Sequence, residues 1–98
     1  MWYEDVEDIS IDFEENGILL VKQEAKVVIT KGTWSVIAFL YREWDAATES
    51  YGPAKATLRK FSKQRGTYRQ ESKFNIGSLS QARAIAQVLE QWAAAEQE

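Results

Sequence analysis

The chain has 98 residues, enough for one domain that buries only about two thirds of its unfolded surface. It contains no cysteine, which excludes disulfides, and no histidine, which removes the commonest general base and the commonest metal ligand together. Net charge is −3, but residues 1–16 hold seven acids and no base, whereas residues 55–73 hold seven bases and one acid, Glu71, so the asymmetry says more than the mean.

The start, Met1-Trp2-Tyr3-Glu4-Asp5, is acidic and unlike a signal peptide, and residues 1–8 read as an acidic tail on a single domain spanning 1–98. Ile9, Ile11 and Phe13 alternate with Ser10, Asp12 and Glu14, the period of a half-buried strand. Asn16-Gly17 accepts positive φ at both centres of a type I′ turn, and Ile18-Leu19-Leu20-Val21 returns from it. That turn sets Phe13 opposite Leu20 and Ile11 opposite Lys22. Lys26–Thr30 is a third strand, or the second half of one long bent strand. Lys31-Gly32 turns the chain into Trp34–Trp44, whose β-branched and aromatic residues favour a strand. It is apolar on both faces as far as Arg42, so it is covered twice, or covered once with aromatics offered to a ligand. Asp45 to Pro53 reads as a loop, and a new strand starts after Pro53, which cannot donate to a ladder. Residues 54–64 and 67–75 form a hairpin around Arg65-Gly66. Ser78 and Gln81 fit a capping box, after which Ala82, Ile85, Ala86, Leu89, Trp92 and Ala93 recur at helical spacing. That apolar stripe must pack on the sheet or on a partner helix. The fold class is therefore α+β: an antiparallel sheet of hairpins with one C-terminal amphipathic helix.

The hairpin 54–75 carries the chemistry of greatest interest. Simple pairing about Arg65-Gly66 sets Lys63 opposite Tyr68, Phe61 opposite Gln70, Arg59 opposite Ser72 and Thr57 opposite Phe74. One face then mixes the rings of Phe61, Tyr68 and Phe74 with the cations of Arg59 and Lys63. Rings stack on unpaired bases while cations follow phosphates. The competing reading buries those rings in the core and leaves Lys60, Arg69 and Lys73 as a basic patch outside. Glu4, Asp5, Glu7 and Asp8 lack the glycine-punctuated spacing of a calcium loop. They form either a solvated tail or a shield over the basic hairpin. Glu43 and Asp45 share a strand face, but there is no nucleophile–base pair, glycine-rich phosphate loop or metal-ligand motif, so the chain reads as a non-enzyme without a cofactor. The longest apolar runs are too short to span a bilayer, and the lack of cysteine points to the cytoplasm.

The order Lys26–Trp44, loop, Ala54–Asn75, helix is ββ-ββ-α. With Tyr41-Arg42-Glu43-Trp44 closing a long strand, Leu58-Arg59-Lys60-Phe61 opening a basic hairpin, and Phe74-Asn75-Ile76 leading into the helix, it resembles the single-stranded-DNA-binding transcriptional coactivator family, positive cofactor four, and its bacterial and phage relatives. The resemblance covers roughly residues 25–95. It departs at Gln70-Glu71-Ser72-Lys73, where the family carries a glycine- and lysine-rich stretch, and in the extra hairpin at 9–22. It implies a homodimer joined through the C-terminal helices, with Arg59, Phe61, Lys63 and Tyr68 facing bases and phosphates. The expected nucleic-acid-binding set is Arg59, Lys60, Phe61, Lys63, Arg65, Tyr68, Arg69 and Lys73, on single-stranded DNA or RNA. The alternative is a protein-interaction or assembly module that uses the helix stripe or the Ile37-Phe39-Tyr41 face. Open rings beside Arg and Lys favour the first; a bare apolar patch favours the second.

Overall fold

The computed structural model describes residues 3–96. Strands β1 (Phe13–Glu15), β2 (Ile18–Thr30), β3 (Trp34–Asp45), β5 (Lys55–Gln64) and β6 (Thr67–Ile76) form an antiparallel sheet in the order β1-β2-β3-β5-β6. The short β4 (Ser50–Tyr51) folds back on the end of β3, and helix α1 (Leu79–Glu96) closes the described chain. Both Asn16-Gly17 and Arg65-Gly66 hold positive φ at both positions, as a type I′ turn requires. The 18–30 stretch is one long strand, broken by irregularities at Glu24 and Ile29.

The hairpin β5–β6 departs from simple pairing at one place. Lys60 faces Ser72 but Phe61 faces Gln70, so Glu71 is an extra residue, a β-bulge. Phe61–Gln70 and Lys63–Tyr68 pair as expected. Beyond the bulge, Arg59 faces Lys73 rather than Ser72, and Thr57 faces Asn75 rather than Phe74. A one-residue slip moves every later side chain to the other face. Phe74 therefore leaves the predicted ring face and stands on the outer one, 54% exposed.

The inner face carries Ile37, Phe39 and Tyr41 from β3, Phe61 from β5 and Tyr68 from β6, all buried. Residues 3–11 cover it. Tyr3 pairs with the free edge of β6 at Tyr68, and a single 3-10 turn follows at Val6–Asp8. Val6, Ile9 and Ile11 sink into the core. The expected solvated tail is thus a strap across the sheet, and Met1 and Trp2 lie outside the described residues. The expected strand over Ile9–Phe13 shrinks to Phe13–Glu15, because side chains of β2 take its backbone partners. Ile11 N–H donates to Gln23 Oε1 at 3.1 Å, and Gln23 N–H donates to Asp12 Oδ1 at 2.7 Å. Phe13 pairs with Val21 instead of Leu20 and is exposed.

Lys26 anchors the strap. Its Nζ donates to the carbonyls of Val6 at 2.8 Å, Glu7 at 3.0 Å and Ile9 at 2.8 Å. These are charge-assisted bonds to a turn whose carbonyls have few other donors among the described residues. Lys26→Met keeps the aliphatic stem and removes all three, so it should cost about 3 kcal/mol. Urea denaturation reads this as a lower midpoint at unchanged slope; a change within about 0.5 kcal/mol would show the anchor to be idle.

Helix α1 begins at Ser78, whose Oγ accepts from Gln81 N–H at 3.1 Å. Gln81 Oε1 reaches back to Gly77 N–H at 3.1 Å, one residue earlier than in the usual capping box. The helix makes its main contacts with β5 and β6, yet none of its residues is buried, and Trp92 is 68% exposed. The sheet does not cover the stripe. The radius of gyration, 15.6 Å, exceeds the about 13 Å of a compact domain this long, in keeping with a helix that stands off its own sheet.

Candidate nucleic-acid interface

Two turns set the geometry. The 31–33 turn lies beside the Arg65-Gly66 turn: Lys63 N–H donates to Thr33 O at 2.7 Å, and Tyr68 OH donates to Gly32 O at 3.4 Å. Trp34 pairs with Ser62, so its indole stands among the residues that lead into the second turn. Lys31, Lys60, Lys63, Arg65 and Arg69 thus gather at one end of the sheet. Lys60 Nζ sits 4.7 Å above the Trp34 ring, which is 52% exposed. Lys63 Nζ sits 5.3 Å from the Tyr68 ring.

Electrostatics separates the two ends. Lys31, Lys60, Lys63 and Arg65 have no carboxylate partner among the described residues. Away from this end, Lys22 and Arg42 share Glu24, and Lys55 binds Glu43 at 2.5 Å. The Arg42 hydrogen bond holds the Glu24 carboxyl below its ordinary pKa, and the Glu43 hydrogen bond raises that of Lys55. The one acid of the ribbon, Glu71, accepts a hydrogen bond from Ser62 Oγ. Charges beyond about 8 Å are largely screened at physiological salt, so the unpaired cations outweigh the net negative charge locally.

The expected site residues divide. Phe61 and Tyr68 are each 3% exposed and belong to the core, because the strap covers the face they share. They offer no ring to a base, and the expectation that they stack is corrected here. Arg59 is half-buried beneath the strap, with Nη1 donating to Gln70 Oε1 at 3.1 Å. Lys73 is exposed opposite Arg59, farther from the turns. Lys60, Lys63, Arg65 and Arg69 remain together, all exposed. Sequence reasoning missed Lys31 and Trp34, although the Lys31-Gly32 turn at the mouth of β3 was a usable signal. It also missed that Phe74 faces outward beside Leu58.

No protein-family model, curated protein or solved structure matches this chain.

The functional reading therefore rests on the site itself. Among the described residues no group of three or more acidic side chains converges to hold a metal ion, the acidic strap included. Nor is any described helix long and apolar enough to cross a membrane. What the basic end presents is an open indole with the Lys60 ammonium above it and further cations on the neighbouring strands and turns, which suits stacking on a base with phosphates alongside.

Proposed function

We propose that the chain binds single-stranded nucleic acid, DNA or RNA, at the end of the sheet that carries Trp34. Lys31, Lys60, Lys63, Arg65 and Arg69 follow the phosphates, and the indole stacks on a base. The observation that carries this reading is the exposed Trp34 ring with an ammonium 4.7 Å above it, at an end of the sheet where Lys31, Lys60, Lys63 and Arg65 have no carboxylate partner among the described residues. The role is that of a cytoplasmic accessory protein in transcription or DNA metabolism, not an enzyme. The test is fluorescence anisotropy of a labelled oligonucleotide against salt, with Trp quenching in parallel. Four or five phosphate contacts give a slope of log affinity on log salt of about −3. Absence of saturable, salt-sensitive binding at low salt overturns the reading.

A second reading has its own support. Val88, Leu89 and Trp92 line a groove on α1 with Ile85 and are exposed among the described residues, and one helix face of this kind is what a second copy would cover. We infer a homodimer joined through α1, which would set two basic ends in one particle. Sedimentation should give twice the chain mass. Leu89→Glu with Trp92→Glu should give the single mass with an unchanged sheet signal in circular dichroism. A monomeric unmodified protein at micromolar concentration rejects the dimer and leaves the groove to another protein.

A further inference from the structure

Between the strap and the β5–β6 hairpin lies a cleft of about 450 Å³, separate from the basic end. Phe61, Ile9, Ile11 and Val21 give it apolar walls; Tyr3, Gln70 and Arg59 give it polar ones. Asp12 lines it too, with its Oδ1 accepting from Gln23 N–H. The volume falls within the range of small-molecule sites.

Arg59 is the unusual member. Its Nη1 is held by Gln70, but its Nε is buried without an acceptor, alone among side-chain polar atoms of the described residues. Among the described residues no carboxylate pairs with it and Nη2 has no hydrogen-bond partner. Burial pushes the guanidinium pKa down, while the neighbouring Tyr41 and Tyr3 push it up. A desolvated cation with an unmade hydrogen bond is costly, and buried charges are normally paired. The pairing that is missing here has a definite shape. The Nε–Nη2 edge of a guanidinium is a planar two-donor fork that matches the two oxygens of a carboxylate or phosphate.

We infer that this cleft binds a small molecule carrying one oxyanion on a flat apolar body, the Arg59 side chain turning its closed Nε–Nη2 edge toward the oxyanion and the body lying against Phe61 and the strap. The site is independent of the nucleic-acid reading, since the cations at the turns take no part in it. Benzoate and phenyl phosphate are suitable probes, with benzamide as the uncharged counterpart and inorganic phosphate as the anion without a body. The expected result is a saturable shift of the Arg59 side-chain Nε–H resonance with both aromatic anions. The phosphate arm against the carboxylate arm then decides which oxyanion the cleft prefers. Benzamide and inorganic phosphate should bind at least tenfold more weakly. Arg59→Lys should weaken benzoate roughly tenfold, because it keeps the charge and loses the fork. Arg59→Met should abolish binding and melt no lower than the parent protein without ligand. The inference is overturned if neither aromatic anion moves the Nε–H resonance at millimolar concentration, or if benzamide binds as well as benzoate. It is equally overturned if Arg59→Met binds benzoate unchanged. The benzamide comparison uses the unmodified protein, so it decides the matter even if a variant misfolds.

Discussion

Changing Lys60, Lys63 and Arg65 together to glutamate should lower affinity for a single-stranded oligonucleotide by at least about 100-fold at 0.1 M salt. Each phosphate contact contributes about 0.7 log unit per tenfold change in salt, so three lost contacts amount to roughly two log units before any repulsion is added. The slope itself should flatten by about 2. The three side chains are exposed and hold no structural hydrogen bond, so folding should be unaffected. Trp34→Ala should behave differently. It removes stacking of about 1–3 kcal/mol, roughly a 5- to 150-fold loss, and leaves the salt slope as it was. Lys55→Glu, outside the basic end and already engaged with Glu43, is the control and should change affinity little. Anisotropy titrations at several salt concentrations measure all five quantities. If the triple variant binds within twofold of the parent, the basic end is not the contact surface.

Removing residues 1–11 should unfold the protein. The acidic segment invites the opposite expectation, that cutting it away uncovers a basic surface and improves binding. Glu4, Asp5, Glu7 and Asp8 make no ion pair with Lys60, Lys63 or Arg65. What the segment contributes is Val6, Ile9 and Ile11, three buried side chains that together contribute roughly 5–9 kcal/mol at 1.5–3 kcal/mol each. Whole domains are stable by about 5–15 kcal/mol. The truncated chain should therefore lose its cooperative urea transition and bind a hydrophobic dye. A truncated protein that melts cooperatively near the parent temperature would show that the strap is ornament rather than core.

Much of the fold was legible because it is local. Asn16-Gly17 and Arg65-Gly66 specify their turns through φ, and Ser78 with Gln81 specifies the helix start through two hydrogen bonds. The bulge at Glu71 was not legible. Nothing in Gln70-Glu71-Ser72 marks the extra residue, and it decides that Phe74 faces out and that Lys73 stands opposite Arg59. The strap was misread for a related reason. Its alternation of Ile9, Ile11 and Phe13 is real, but Ile9 and Ile11 are met by the side chains of Lys26 and Gln23, and only Phe13 joins a neighbouring ladder. The candidate site was half legible. The charge of the ribbon is written in the sequence, whereas the ring that accompanies it comes from Trp34, brought there only by the pairing of β3 with β5.

The strap also governs when folding can finish. Tyr3 is among the earliest-made described residues and its partner, Tyr68, follows 65 residues later, so this bridge spans about two thirds of the chain. Contacts of that kind slow folding, and a nascent chain cannot form them until β6 has left the ribosome. Until then Phe39 and Tyr41 lie uncovered on an unfinished sheet. Slower translation of the 55–76 ribbon would prolong that exposure and favour aggregation over native yield.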